Sequence, residues 1–274
     1  MKKAILVSAV ATMMAAPAFV LAKTAPAAPE EPAPAASPFT GNMTIASEYR
    51  YRGIAQTNLK PAIQGGFDYA FRNGFYIGNW NSNISWLSDG YTDTTPSPSR
   101  PIEMDFYGGY KGDLSGLGYD VGLLQYYYPG TSLPTTNACS ASRQACGTSP
   151  NTLEGYLSLS YAFATLKYSY AFTNLFGIDN SKCRGYLDLS LNYDTGMYGL
   201  TLNGHVGRQT VSHTTSVGSY SYTDWKLGVT KDLGNGFSGS LAYIGSNAKI
   251  AVYGTPDGNN AGRGTALLSV TKTF

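Results

Sequence analysis

Residues 101–111 read PIEMDFYGGYK, and the alternation within this stretch indicates the fold class. Ile102, Met104 and Phe106 fall on one parity, while Glu103 and Asp105 fall on the other. Because successive side chains of a β-strand point to opposite faces of a sheet, the stretch predicts a strand with one apolar and one charged face. Such a strand separates lipid from a polar lumen, or the core of a secreted soluble β-sandwich from water.

Similar segments recur along the chain and predict twelve strands. Their approximate ranges are 42–53, 61–72, 75–87, 101–111, 118–128, 152–163, 166–173, 184–194, 197–209, 220–232, 237–249 and 263–274. Short connections, such as the Asn73-Gly74 hairpin turn, alternate with long polar ones such as residues 129–151. A soluble sandwich has no reason to alternate so regularly. We therefore predict an all-β fold, a transmembrane antiparallel β-barrel with short periplasmic turns and longer extracellular loops.

The composition agrees with a barrel and argues against a nucleic-acid ligand. Charged residues make up 13% of the 274 residues, and the chain contains 22 Tyr and 32 Gly. The mean hydropathy is −0.17, as expected where apolar and polar residues alternate. Loss of Lys2 and Lys3 with a signal peptide would leave 17 Lys and Arg against 17 Asp and Glu. A nearly neutral mature chain does not have the basic character that nucleic-acid binding requires.

The N-terminus predicts export. Lys2 and Lys3 precede an apolar stretch that ends in the small-residue cleavage site VLA at 20–22, so residues 1–22 are expected to be a cleaved signal peptide. Residues 23–39 are rich in Pro and Ala and are expected to form a periplasmic linker, followed by the barrel at 40–274. The expected location is the outer membrane of a Gram-negative bacterium.

The chain ends in GTALLSVTKTF, an amphipathic strand that closes on Phe274. A terminal aromatic residue on such a strand resembles the signal read by the outer-membrane assembly machinery, which is therefore an expected partner. Lys272 interrupts the apolar parity, but near a membrane interface a lysine can extend its amine into water. Outer-membrane lipid and lipopolysaccharide are further expected partners.

Side-chain parity also assigns the lipid face of other strands. In strand 184–194 the apolar set is Leu187, Leu189, Leu191 and Tyr193. In strand 75–87 the apolar set is Tyr76, Trp80, Ile84 and Trp86, opposite Asn79, Asn81, Asn83 and Ser85. We expect the apolar sets to face lipid, with Tyr and Trp near strand ends forming interfacial girdles.

The opposite faces carry the candidate pore-lining charges. These candidates are Glu48, Arg50, Arg52, Asp68, Arg72, Glu103, Asp105, Glu154, Asp188, Asp224 and Lys226. Both signs occur, so the charges either form salt bridges that fill a narrow barrel or create a transverse field that orients a polar solute. About eight strands leave room only for side chains and about sixteen enclose an open channel, so twelve lie between these cases.

The stretch SEYRYRGIAQT at 47–57 is interpreted as the outer end of the first strand. On this interpretation Tyr49 and Tyr51 face lipid near the outer interface, where phenol rings tolerate both phases. Arg50 and Arg52 then point into the lumen.

No catalytic, cofactor-binding or metal-binding residues are predicted. Cys139 and Cys146 lie in a loop without a strand pattern, and in an oxidising compartment they are expected to form a local disulfide, for which Cys183 could compete. A metal ion needs more ligands than this pair provides, and His205 and His213 are remote in sequence.

Six stretches, in order across nearly the whole mature chain, follow the sequence pattern of one protein family. They are SEYRYRGIAQTNLKPAIQGGFDY at 47–69, GFYIGNWNSNI at 74–84, IEMDFYGGY at 102–110, YYYPG at 126–130, EGYLSLSY at 154–161 and YTDWKLGV at 222–229. The pattern resembles the proteobacterial TorF family, which is classed as porins, although Ala55 stands where the family commonly has serine.

The resemblance implies a porin-like channel for the passive diffusion of small polar solutes or ions, and it brings no catalytic residues. Two alternatives remain. One is a structural or adhesive barrel with a plugged lumen, and the other is an outer-membrane lipid-modifying enzyme that uses a histidine base.

Overall fold

The structure, a computed structural model, describes residues 37–89, 102–130, 149–178, 181–211, 214–215, 218–255 and 257–274. Its main element is a closed antiparallel barrel of twelve strands, as predicted. In chain order they are β1 Phe39–Ala46, β2 Ala62–Ala70, β3 Phe75–Asn83, β4 Ile102–Leu114, β5 Leu117–Tyr127, β6 Thr152–Tyr161, β7 Ala164–Ala171, β8 Gly185–Asp194, β9 Leu200–Gln209, β10 Tyr222–Gly234, β11 Phe237–Ser246 and β12 Thr265–Thr273.

Each strand pairs with the next one in the sequence, and β12 pairs with β1 to close the sheet. The closing pair runs from Asn42 opposite Thr273 to Ala46 opposite Ser269. Closure leaves no strand edge unpaired, which a sheet in lipid requires because the hydrocarbon offers no hydrogen bonds.

The connections alternate in length, as predicted. Five turns at one end of the barrel span residues 71–74, 115–116, 162–163, 195–199 and 235–236, and all longer connections lie at the other end. We call the two ends periplasmic and outer, respectively, following the usual asymmetry of such barrels. Among the described residues, the outer connections contain two short helices, α1 (Trp86–Asp89) and α2 (Ile250–Tyr253), and one 3₁₀ turn, Leu175–Gly177. Within the described ranges, no helix is long and apolar enough to cross a membrane.

The outer surface of the barrel is apolar, and its inner surface is polar. On β8, Leu187 is 47% exposed and Leu189 is 39% exposed, whereas Asp188 between them points inward. On β4, Ile102 and Phe106 are exposed while Glu103 and Asp105 are buried inside the barrel. The predicted faces of both strands are confirmed, and the outer surface suits a hydrocarbon environment.

Lys272 on the last strand extends its amine to the edge of the barrel, as expected. Lys272 lies on the outer surface at the periplasmic end, beside the rings of Phe237 and Phe274. Its amine donates to the Asn235 carbonyl in the turn before β11. The amine therefore reaches the edge of the sheet while the stem stays against apolar surface, as in snorkelling.

The predicted faces of the third strand are wrong. Phe75 and Ile77 are exposed on the outside, whereas Tyr76 is buried and donates to Asp120 Oδ1 at 2.6 Å. Trp80 also points inward, where it packs against Tyr49. The phenol and indole rings lie inside because the lumen supplies carboxylates and other rings as partners.

The asparagines of β3 therefore lie on the outer surface, and their amides bond within the sheet. Asn79 Nδ2 donates to the Asp105 carbonyl at 3.0 Å, and Asn81 Nδ2 donates to the Gly65 carbonyl at 3.3 Å. Asn83 Oδ1 accepts the Ile63 amide at 2.7 Å. Such bonds lower the cost of an amide on this face, because an unpaired polar group in hydrocarbon costs about 4–8 kcal/mol by alkane transfer. The compensation is incomplete, since Asn81 Oδ1 has no hydrogen-bond partner among the described residues, and Asn79 is only 6% exposed.

The rest of the predicted apolar set of this strand lies beyond β3. Ile84 and Trp86 belong to an aromatic cluster inside the outer end of the barrel, and Trp86 packs against Tyr128 with ring centroids 5.6 Å apart. Neither residue contributes to a lipid-facing girdle. Tyr193, by contrast, is exposed on the outer surface near the periplasmic end, as predicted.

Candidate functional site

The connection after β1, residues 47–61, folds into the outer end of the barrel, and we call it the first loop. The prediction that strand one continues to residue 53 is wrong, because β1 ends at Ala46. Arg50–Tyr51 then pairs with Ile54–Ala55 in a small separate hairpin. At its turn Arg52 has φ 47° and Gly53 has φ 77°. A Cβ on Gly53 would lie 2.6 Å from Asp224 Cβ, so glycine lets the turn lie against β10.

Arg50 ties the first loop to itself and to the connection before β12. Its Nε donates to Glu48 Oε2 at 2.9 Å, and one terminal nitrogen donates to the carbonyls of Gly53, Ala261 and Arg263 at 2.9, 2.6 and 3.1 Å. The residue is 0% exposed. A buried guanidinium with this many acceptors is a structural anchor, since each bond compensates part of its lost hydration.

Arg52 crosses the lumen to the opposite side of the barrel. One terminal nitrogen donates to Glu154 Oε2 on β6 and the other to Gln209 Oε1 on β9, both at 2.7 Å. The guanidinium carbon also lies 4.2 Å from the ring centroid of Tyr186 on β8 and 4.8 Å from that of Tyr51. All three wall residues lie within three positions of the outer ends of their strands. The first loop therefore spans the outer mouth of the barrel.

The tyrosines of the first loop face the lumen, so the prediction that they face lipid is wrong. Tyr49 donates its hydroxyl to Glu103 Oε1 at 2.6 Å, and Tyr51 shares a 2.8 Å hydrogen bond with the Tyr126 hydroxyl. Tyr128 donates to the second oxygen of Glu103 at 2.6 Å. The hydrocarbon core of a membrane would supply no acceptor for these hydroxyls, whereas the lumen carboxylates do.

Phenol–carboxylate pairs continue along the lumen. Tyr107 donates to Asp68 at 2.7 Å, and Tyr186 donates to Asp224 Oδ1 at 2.9 Å. The Tyr186 ring reaches this position because it lies over Gly207, where any Cβ would meet the tyrosine hydroxyl. Tyrosine thus acts inside the barrel as a donor to carboxylates as well as outside it as an apolar surface.

His205 lies on the inner face, as its parity predicts, between two carboxylates. Nδ1 is 2.9 Å from Asp188 Oδ2, and Nε2 is 2.8 Å from Asp224 Oδ2. Ser190 Oγ lies 3.4 Å from Nδ1 but donates to Asp188 Oδ1 at 2.7 Å. Both ring nitrogens are therefore engaged with acids, and the serine hydroxyl hydrogen bonds a carboxylate.

The candidate pore-lining residues fall into two groups. Ten lie inside the barrel on the strands or on the first loop, namely Glu48, Arg50, Arg52, Asp68, Glu103, Asp105, Glu154, Asp188, Asp224 and Lys226. Arg72 is an exception, because it lies exposed in the turn between β2 and β3. Whether the ten residues line a conducting path stays a prediction.

Asp105 differs from Glu103 because one of its carboxylate oxygens lacks a donor. It is 1% exposed, and its Oδ1 has no hydrogen-bond partner among the described residues. The residue lies opposite Trp80 on β3 and Tyr126 on β5.

Sequence reasoning missed three lumen residues that hold Arg52 or its partners: Tyr126, Tyr186 and Gln209. Tyr186 shares parity with Asp188, and Gln209 shares parity with His205, so strict alternation was the signal that could have found them. Cys139, Cys146 and His213 lie outside the described residues, as does the expected disulfide. Cys183 is exposed. In the described part of the chain, no group of three or more His, Cys, Asp or Glu side chains could hold a metal ion.

A closed twelve-stranded barrel with this polarity has the architecture of outer-membrane proteins. The KdgM porin is similar to the chain with a TM-score of 0.50 at 8% identity, over 86% of this chain and 99% of the porin. LpxR from Salmonella typhimurium gives 0.44 at 12% identity, over 86% and 99% of the two chains. Outer membrane phospholipase A from Escherichia coli gives 0.43 at 13% identity, over 85% and 88%. At 8% identity, the similarity to the KdgM porin shows the fold alone.

A comparison with protein-family models identifies the family of the chain. The chain belongs to the family described as "Bacterial protein of unknown function (Gcw_chp)", whose model matches residues 31–274. No curated protein matches the sequence.

Proposed function

We propose that the protein is a porin-like channel of the bacterial outer membrane, through which small polar solutes or ions diffuse passively. The proposal includes export through a cleaved signal peptide at 1–22. The six stretches quoted above support a place among the TorF-type proteins. The observation that carries the proposal is the sorting of side chains by the closed sheet, since apolar residues cover the outside while carboxylates, lysines and hydroxyls line the inside.

The first loop is the constriction of this channel. It occupies the outer mouth and is held there by hydrogen bonds and ion pairs, chiefly those of Arg50 and Arg52. Such contacts can open without breaking a covalent bond. Below the loop, Asp68, Lys111 and Asp188 remain partly exposed, as expected for a wetted vestibule.

A barrel with a permanently plugged lumen is the second candidate. Arg50 is buried, and it bonds both its own loop at Gly53 and the connection before β12 at Ala261. These contacts favour the plugged barrel, because a loop anchored so firmly resists displacement. The two candidates share one fold and differ in a single property, the passage of ions.

We also propose that the protein has no hydrolytic activity on lipids. A serine nucleophile needs a base with a free nitrogen lone pair within hydrogen-bond reach. The nitrogens of His205 both face carboxylates inside the barrel, away from the lipid substrate. Unchanged phospholipid and lipid A after prolonged incubation with folded protein is the expected result, and their hydrolysis would contradict it.

The channel proposal is tested by recording ion currents across planar bilayers. The protein is refolded, and folding is checked by its heat-dependent shift in electrophoresis. We expect small steps from the wild type and larger steps from Arg52→Gly, because glycine suits the φ of 47° and removes the side chain that spans the mouth. Arg263→Ala, at an exposed position of another outer loop, is the matched control and should conduct like the wild type.

The plugged-lumen alternative predicts no ion current. Folded wild type and folded Arg52→Gly would both remain silent at every voltage, and liposomes containing them would retain small polar solutes. That result would remove the channel proposal and leave the barrel fold intact.

A further inference from the structure

The contacts of Arg52 define a pocket in the barrel wall. Three strands build it, with Glu154 from β6, Tyr186 from β8 and Gln209 from β9, and each of these residues is less than one-tenth exposed. Two different nitrogens of the guanidinium bond Glu154 and Gln209, and the Tyr186 ring covers the guanidinium at 4.2 Å. The pocket therefore recognises both the edge and the face of a planar cation.

The barrel itself holds these wall residues in place. The Tyr186 hydroxyl is fixed by Asp224 at 2.9 Å, and Gln209 Nε2 donates to the Gly185 carbonyl at 3.3 Å. Glu154 accepts a weaker bond from the Tyr126 hydroxyl at 3.4 Å. None of these contacts involves Arg52, so we expect the pocket to stay organised when the Arg52 side chain is removed. A site that is already organised loses little entropy when a ligand binds.

Arg52 occupies the pocket at a local backbone cost. Its φ of 47° lies in the left-handed region, which non-glycine residues adopt only with strain. A free guanidinium cation entering the lumen would make the same side-chain contacts without that strain. Arg52 therefore occupies the position that a free guanidinium ligand would take.

We propose that the Glu154–Tyr186–Gln209 pocket is a binding site for guanidinium-bearing solutes, occupied here by the protein's own Arg52. As far as passage of the solute is concerned, this inference rests on the proposed channel, since the solute would displace the constriction on its way through the mouth. The site itself is independent of conduction, because its contacts exist in any barrel with this wall.

The test uses full-length Arg52→Gly with guanidinium chloride as the probe at millimolar concentrations, far below those that denature proteins. Sodium chloride at equal ionic strength is the control for screening. The readout is the midpoint temperature of the heat-dependent electrophoretic shift, which needs no ion current. Guanidinium should raise this midpoint in a saturable way, because a ligand that binds only the folded state stabilises it.

A matched double variant isolates the pocket. In Arg52→Gly/Glu154→Gln the charged acceptor is lost while the shape is kept, and we expect the half-saturating concentration to rise roughly tenfold, as for the loss of one charge-assisted hydrogen bond. The wild type should respond only at higher concentrations, since guanidinium must first displace Arg52 from the site.

Two results would contradict the proposed guanidinium site. One is an Arg52→Gly midpoint that does not respond to guanidinium, and the other is an equal response from the Glu154→Gln double variant. Both differ from failure of the channel proposal, which appears as silence in planar bilayers. If Arg52→Gly also conducts, millimolar guanidinium should reduce its current, and an undiminished current would likewise count against the site.

Discussion

The outer and periplasmic halves of the lumen are built by the same strands with the same alternation, yet they differ in how their charges are compensated. In the outer half, Glu103 and Glu154 are at most 2% exposed and receive their partners from tyrosines and from the first loop. In the periplasmic half, Asp68 and Lys111 remain partly exposed. The first loop contributes to the difference, because its Tyr49 and Arg52 take the place of water as partners of Glu103 and Glu154.

This contrast predicts that removing the polar partner of a charged group lowers the free energy of unfolding most in the outer half. A buried charge left without its partner pays a desolvation penalty, whereas water can solvate a charge in an exposed position. The free energy of unfolding in urea, measured for the protein folded into phospholipid vesicles, is the common measurement.

The largest effect is expected at the anchor of the first loop. Arg50→Ala leaves Glu48 buried without its ion pair and frees three carbonyls, so we expect a loss of about 3–5 kcal/mol. The exposed Arg263→Ala serves as the control, with a change within about 0.5 kcal/mol. Equal effects from both variants would remove the contrast between the two halves.

A smaller effect is expected at the wall residue that supports both Arg52 and Asp224. Tyr186→Phe keeps the ring under the guanidinium but removes the hydroxyl that donates to Asp224, at a cost of about 2 kcal/mol. Tyr193→Phe, exposed on the outer surface, is the matched control. A Tyr186→Phe barrel as stable as the wild type would mean that water reaches Asp224 and that the outer half is not dry.

Glu103 has two phenol donors, so loss of one should cost less. Tyr49→Phe removes the 2.6 Å bond to Oε1 and leaves the Tyr128 bond to Oε2 intact. We expect a loss of about 1.5 kcal/mol, at the lower end for a hydrogen bond to a charged group. If the loss exceeded that of Arg50→Ala, the loop would be held mainly by its tyrosines rather than by its arginines.

The smallest effect is expected at the periplasmic end. Asp194 is exposed and its Oδ1 accepts the Gly196 amide at 2.9 Å, a bond that an asparagine oxygen can also make. Asp194→Asn should therefore change the free energy of unfolding by less than about 0.5 kcal/mol. A cost comparable with that of Tyr49→Phe would contradict a wetted periplasmic half.

The barrel was predictable because its physical cause is local. A strand that faces lipid on one side must alternate, and alternation together with connection length gives strand number and direction. The predictions fail where a side chain has two acceptable environments. Tyr49, Tyr51 and Tyr76 suit a membrane interface as well as a lumen with carboxylates, and an asparagine such as Asn79 can face outward when its amide bonds a neighbouring strand.

The stretch SEYRYRGIAQT shows most clearly the difference between what alternation predicts and what depends on the folded barrel. Its alternation with the other strands is enough to predict a closed sheet with Arg50 and Arg52 pointing inward. The folded barrel adds that this stretch leaves the sheet at Ala46 and crosses the lumen, and that Arg50 anchors the loop while Arg52 fills a pocket on the far side. The reason is that Glu154, Tyr186 and Gln209 are distant in sequence and meet only when the barrel closes.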